Sequence, residues 1–113
     1  MKFKSIEKAK TELVEAIITQ HEALINRDDK TQEKYIKKAF KIDKYIKENF
    51  DLKEMKDLLE HNDLGVKSWV ANMLLPVYED ISIQLLNDIS NGENSHYSYN
   101  AKMMLFNWKR KKT

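Results

Sequence analysis

Shifting the chain against itself by 31 positions lays apolar residues on apolar residues from Leu52 to Trp108. Leu52 falls on Ile83, Met55 on Leu86 and Leu58 on Ile89. Beyond a polar break, Val66 falls on Tyr97, Val70 on Ala101, Met73 on Met104, Leu74 on Leu105 and Val77 on Trp108. Each copy reads as an amphipathic helix, a short turn and a second amphipathic helix. A fixed period of this length marks helical-repeat architectures, in which one unit cannot bury its apolar face without its neighbours. The chain holds only two glycines and one proline, which leaves little material for β-hairpins. The expected fold class is therefore all-α, a short right-handed α-solenoid of about three antiparallel helical hairpins.

A length of 113 residues is that of one domain, expected over 1–113. Residues 5–49 form a degenerate first hairpin, and 51–75 and 77–109 continue the stack. Apolar residues make up 42% of the chain, enough for a modest core. Cysteine is absent, which excludes disulfides and thiolate metal sites and fits a cytoplasmic setting. The start, Met1-Lys2-Phe3-Lys4-Ser5-Ile6-Glu7, has no apolar run behind its charges, and no stretch is apolar enough for a bilayer span. The net charge of +2 is unevenly spread. Residues 1–50 are net +3, residues 51–108 net −5, and Lys109-Arg110-Lys111-Lys112 adds +4.

Taken in order, the first helix is expected from Ser5, its N-cap, to Asn26, with Ile6, Leu13, Ile17, Gln20 and Leu24 on one face beside Ala9 and Ala16. The second, over 30–49, buries Tyr35, Ile36, Ala39, Ile42 and Ile46. Its other face is a basic stripe of Lys30, Lys34, Lys37, Lys41 and Lys44, with Tyr45 inside it. The third opens on Asp51 and Glu54 as a capping box, with Phe50 and Met55 as a hydrophobic staple. Asp63 caps the fourth, 64–75, whose inward residues are Val66, Val70, Met73 and Leu74. Pro76 precedes the fifth, 77–90, with Ile81, Leu85, Leu86 and Ile89 inward and Asn91-Gly92 as a left-handed terminus. Ser95 caps the sixth, 96–109, which turns Tyr97, Ala101, Met104, Leu105 and Trp108 to the core.

Asp63-x-x-Val66-Lys67-x-x-Val70-Ala71-x-x-Leu74 resembles the second-helix signature of HEAT repeats, and Leu58-Leu59-x-His61 the close of a first helix. Val66-Lys67-Ser68-Trp69-Val70-Ala71 and Ser98-x-x-Ala101-Lys102-Met103-x-Leu105-x-x-Trp108 are similar to a small uncharacterised bacterial family of HEAT-like domains. The resemblance covers Leu58 to Trp108 and the first 50 residues in outline. It departs at Lys67, where an arginine is commoner, and at Tyr97, where a small aliphatic residue is expected. It implies a HEAT-like helical stack and a scaffold for protein contacts, as in suspected immunity proteins. A different branch of such domains excises damaged bases from DNA.

Each chemical motif has a plainer structural reading. The lysine stripe has the spacing to follow a phosphate backbone or an acidic protein, but Glu33, Asp43 and Glu48 dilute its field, as on an ordinary solvated face. The terminal basic run equally suits the negative end of a helix dipole. Glu54, Asp57 and His61 share a face of the expected third helix, yet helical metal motifs place their ligands closer together. His21, His61 and His96 lack a nucleophile at a telling spacing, and no glycine-rich phosphate loop exists. The expectation is a non-catalytic protein-interaction module without cofactor or metal, a monomer or weak dimer that serves as an immunity or regulatory protein for a bacterial partner. Its contact residues are expected on the outward sides of the second helices: Lys34, Lys37, Lys41 and Tyr45; Lys67, Trp69 and Asn72; Asn100 and Lys102. The second reading is nucleic-acid binding through the lysine stripe and the basic tail.

Overall fold

The computed structural model describes residues 2–112; Met1 and Thr113, at the ends of the expected domain, lie outside the described residues. Among the described residues all regular structure is helical, in five α-helices and one 3-10 helix, with no strand. The chain forms two compact units, Met1–Glu54 and Met55–Thr113.

The first unit is a helical hairpin of α1 (Ile6–Ile25) packed on α2 (Asp29–Asn49). The Ser5 hydroxyl accepts the Lys8 N–H and caps α1 as expected. Ala9, Leu13, Ala16 and Ile17 are buried, whereas Leu24, expected inward, is exposed and Ala23 is buried in its place. Lys10 is also buried. Its ammonium donates to the Glu54 carbonyl at 3.1 Å, so the aliphatic stem packs while the charge keeps an acceptor. The turn closes by paired backbone bonds, Arg27 N–H to Leu24 O and Asp28 N–H to Ala23 O, with Arg27 left-handed at φ 57°. This terminus is usually a glycine's, so no residue type announced it. Asp28 then caps α2 by accepting the Thr31 N–H, and bonds from the Thr31 side chain and then its backbone hold the Asp28 carboxyl below the usual range. Ala39, Ile42 and Ile46 form the buried stripe of α2, as the period predicted.

The expected third α-helix is instead a 3-10 helix, Leu52–Glu60. Its bonds run from residue i to i+3, as in Glu54 N–H to Asp51 O and His61 N–H to Leu58 O. The Asp51 carboxylate accepts the Lys53 N–H rather than that of Glu54, so the capping box does not form. The sequence itself has a period of three here: Leu-Lys-Glu, Met-Lys-Asp, Leu-Leu-Glu. Three residues per turn stack Leu52, Met55 and Leu58 into one row and Glu54, Asp57 and Glu60 into another.

Three α-helices complete the second unit: α3 (Leu64–Leu74), α4 (Glu79–Ser90) and α5 (Ser95–Lys112). α4 packs on α3 and on α5, and α3 also meets α5. Pro76 lies in the turn between α3 and α4, where the Val77 and Tyr78 N–H groups both return to the Leu74 carbonyl. α4 therefore starts at Glu79, two residues later than expected. It ends without a left-handed residue, since neither glycine has positive φ; the Asn91 and Gly92 N–H groups bond back to Asn87 and Ile89. The cap of α5 is Asn94, not Ser95: the Asn94 side chain accepts the Tyr97 N–H at 3.2 Å. The core holds Met55, Val66, Val70, Met73, Leu74, Leu86 and Ala101 at the repeat positions, with Leu75 and Ala71 added. Full burial of each large aliphatic side chain among them contributes roughly 1.5–3 kcal/mol.

Candidate interaction surfaces

The α2 face carries Lys34, Lys37 and Lys41 outward, as expected, but acidic residues interrupt it. Lys37 pairs with Glu33 at 2.9 Å, and Lys44 lies 3.8 Å from Glu48. The α2 lysines outside the stripe are paired too, Lys38 with Glu12 and Lys47 with Asp43. Lys34 rests over the Tyr35 ring. Exposed pairs of this kind contribute little stability, typically below about 1 kcal/mol, but they lower the field a phosphate backbone would meet. Tyr45, placed in the stripe from sequence, is half-buried. Its hydroxyl accepts the Phe3 N–H and its ring packs edge-on against Phe3 and near Phe50.

On α3, Lys67 and Trp69 stand about 200° apart at 100° per residue, so they belong to different sides of the helix. Lys67 lines a groove with Leu64, Leu85, Ile89 and Tyr97, while Trp69 is half-buried and Asn72 exposed. On α5, Asn100 is half-buried beside His96, its amide nitrogen 3.4 Å from the ring nitrogen, and Lys102 is exposed. Lys102 lines a second groove with Ile83, Leu105, Phe106 and Lys109.

Trp108, expected in the core, is half-buried with its indole N–H donated to the Glu79 carboxylate at 2.6 Å. Lys112 donates to the same oxygen, Glu79 Oε2. The bond from Lys112, then that from Trp108, holds the Glu79 carboxyl below its usual range. The basic tail is thus helical through Lys112, with one cation spent on α4 and Arg110 lying over the Phe106 ring.

The Glu54, Asp57, His61 face dissolves with the α-helix that would have formed it. In a 3-10 helix, residues seven apart point about 120° from each other. His61 Nδ1 instead accepts the Asp63 N–H. Among the described residues no group of three His, Asp or Glu side chains is placed to hold a metal ion.

Sequence reasoning missed a trough of about 610 Å³ between the 3-10 helix and α4. Leu59, Ile81 and Leu85 form its apolar lining, and Asp57, Glu60 and Asp88 are its acidic groups. Ile81, expected in the core, is 45% exposed here. A signal existed: Ile81, Ile83, Leu85, Leu86 and Ile89 spread over some 200° of the α4 wheel, wider than one core stripe needs. The second missed feature is the row Tyr99, Met103, Phe106 on the outside of α5, with Tyr99 63% and Phe106 54% exposed. Among the described residues no helix is long and apolar enough to cross a membrane. Comparison with protein-family models, curated proteins and solved structures finds no significant match.

Proposed function

We propose that this chain is a non-catalytic protein-binding module whose contact surface centres on the outward side of α5. The observation that carries this reading is the exposed row Tyr99, Met103, Phe106, flanked by Lys102 and Lys109. Exposed apolar rows rimmed by cations mark protein contact sites on soluble domains, and their composition selects an acidic, partly apolar partner. The HEAT-like repeat belongs to the same proposal, with α1/α2 and α4/α5 as full hairpins and the 3-10 helix with α3 as a contracted one. The 31-residue recurrence of buried positions supports it. An immunity or regulatory role toward another bacterial protein is the biological form we favour.

The test is affinity capture from the native host with wild type, Phe106→Glu and Lys102→Glu side by side. A partner retained by wild type and lost from Phe106→Glu, with unchanged helicity, supports the reading. A partner held equally by all three would place the contact elsewhere.

Nucleic-acid binding is the second reading. The observation in its favour is that α5 has five cations and no carboxylate. It requires affinity that falls steeply with salt, and the absence of a duplex or single-strand gel shift at low salt removes it.

A further inference from the structure

Charge is sharply segregated within the second unit. α4 contains Glu79, Asp80 and Asp88 and no lysine or arginine. α5 contains Lys102, Lys109, Arg110, Lys111 and Lys112 and no aspartate or glutamate. Each helix also leaves apolar surface uncovered. On α4 it is the Ile81 and Leu85 side of the trough, bounded by Asp57, Glu60 and Asp88. The trough continues past Leu85 and Asp88 into the smaller groove at Leu64 and Lys67. The one lysine on the trough's edge, Lys56, has its ammonium 5.0 Å from the centre of the Tyr78 ring. On α5 it is Tyr99, Met103 and Phe106, at i, i+4 and i+7, the spacing by which an amphipathic helix enters a groove.

These surfaces match in three respects. One is concave and the other a convex helical ridge. Both are apolar at the centre. Their margins are opposite in sign, acidic around the trough and basic along the ridge, which both steers encounter and penalises the reverse pairing of like surfaces. Within one molecule they cannot meet, because α5 is already packed on α4 through Ser98, whose hydroxyl donates to the Ser90 carbonyl, and through Trp108 on Glu79. The ridge and the trough also lie off different parts of α4. Residues 81, 85 and 88 line the trough, whereas 83, 87 and 90 line the groove against α5, about 200° round the helix.

We propose that the trough between the 3-10 helix and α4 receives the outer ridge of α5 from a second copy of this chain. The inference rests on the reading of α5 as a contact surface and names its partner. Phe106 and Met103 enter against Ile81 and Leu85, while Lys102, Lys109 and Arg110 approach Asp57, Glu60 and Asp88. The contact joins two different patches, so it is heterologous in type. Its strength falls with salt because the charged margins stay near water.

The test is sedimentation of the full chain over a concentration series at low and high salt, with helicity checked by circular dichroism. Wild type is expected to associate, less so at high salt. Phe106→Glu alters the ridge and leaves the trough intact, and Leu85→Asp alters the trough and leaves the ridge intact. Each alone is expected to shift the half-association concentration upward by tenfold or more, about 1.4 kcal/mol of lost contact. Mixed together they retain one intact ridge and one intact trough, and are expected to form a 1:1 pair that neither forms alone. The charge exchange Asp88→Lys should weaken association, and adding Lys109→Glu should restore part of it. Wild type that stays monomeric at every concentration overturns the proposal. So does a mixture that fails to pair, or single variants that associate like wild type. Partner capture through α5 can still succeed in those cases, so the two proposals fail separately.

Discussion

The two stretches related by the 31-residue shift open their second helices alike and differ in the elements that precede them. Asp63 and Asn94, 31 apart, both cap by accepting the N–H three residues on, from Val66 and Tyr97. Their carbonyls then accept the N–H groups of Lys67 and Ser98. The preceding elements diverge: Leu52–Glu60 is a 3-10 helix, Glu79–Ser90 an α-helix. Yet Met55 and Leu86 are both fully buried. An apolar pattern therefore sets which residues go inward without setting the pitch of the helix that carries them. Three apolar residues at i, i+3 and i+6 satisfy either pitch over two turns.

The strongest challenge to this equivalence is truncation of the two matched core residues. Met55→Ala and Leu86→Ala should each cost about 2–5 kcal/mol in urea unfolding, since each empties a closed core site. A Met55→Ala cost below about 1 kcal/mol would break the comparison and make the 3-10 copy peripheral.

Next in size is a position where the copies differ in room. A Cβ added at Gly65 would stand 3.0 Å from the Tyr97 hydroxyl and 3.0 Å from the Asp63 carboxylate. Tyr97 is buried, and burial with the nearby Asp63 charge pushes its hydroxyl pKa up to about 12, so it stays protonated across the working range. Crowding at Gly65→Ala opposes the gain of about 0.5–1 kcal/mol that alanine brings to a helix, so the net cost should be about 0–2 kcal/mol, set by how far the buried Tyr97 can yield. The matched residue His96 is exposed, and His96→Ala should change stability by less than about 0.5 kcal/mol.

The caps offer a sharper comparison. Asp63→Ala and Asn94→Ala should each cost about 1 kcal/mol, the ordinary loss for a side chain that satisfies a helix N-terminus. If one cost vanished, the shared register would be geometry without energetic weight.

The smallest effect separates the copies at their ends. Glu79 accepts from Trp108 and Lys112, while Val77, which matches Trp108 in the first stretch, has no side-chain donor. Since the folded state depresses the Glu79 pKa, its contribution is fully present above the ordinary value of 4.5 and is lost as pH falls through the lower folded value. In a Trp69→Phe background, Trp108 emission should therefore shift on acidification below about pH 4.5, ahead of global unfolding. Glu79→Gln should remove that early shift.

Much of the frame was legible in the residues. The buried stripe of Ala39, Ile42 and Ile46, the caps Ser5 and Asp63 and the break at Pro76 follow from side-chain chemistry that acts within one or two turns. The left-handed terminus at Arg27 was not legible, because its backbone bonds are set by how α1 meets α2 and carry no residue signature. The trough was legible only in part: the apolar spread of α4 is wider than one core stripe needs, but the wheel does not say that Ile81 and Leu85 are the side chains left uncovered.

By itself the sequence determined the helical class, the caps at Ser5 and Asp63 and the buried stripe of Ala39, Ile42 and Ile46, because these rest on local periodicity and hydrogen bonding along the chain. The tertiary structure alone decided which apolar side chains remain exposed and which lysines reach a carboxylate on another helix, as Lys38 does on Glu12 and Lys112 on Glu79. Those outcomes depend on what packs across from each residue, and contact between segments distant in sequence is not written into either segment alone.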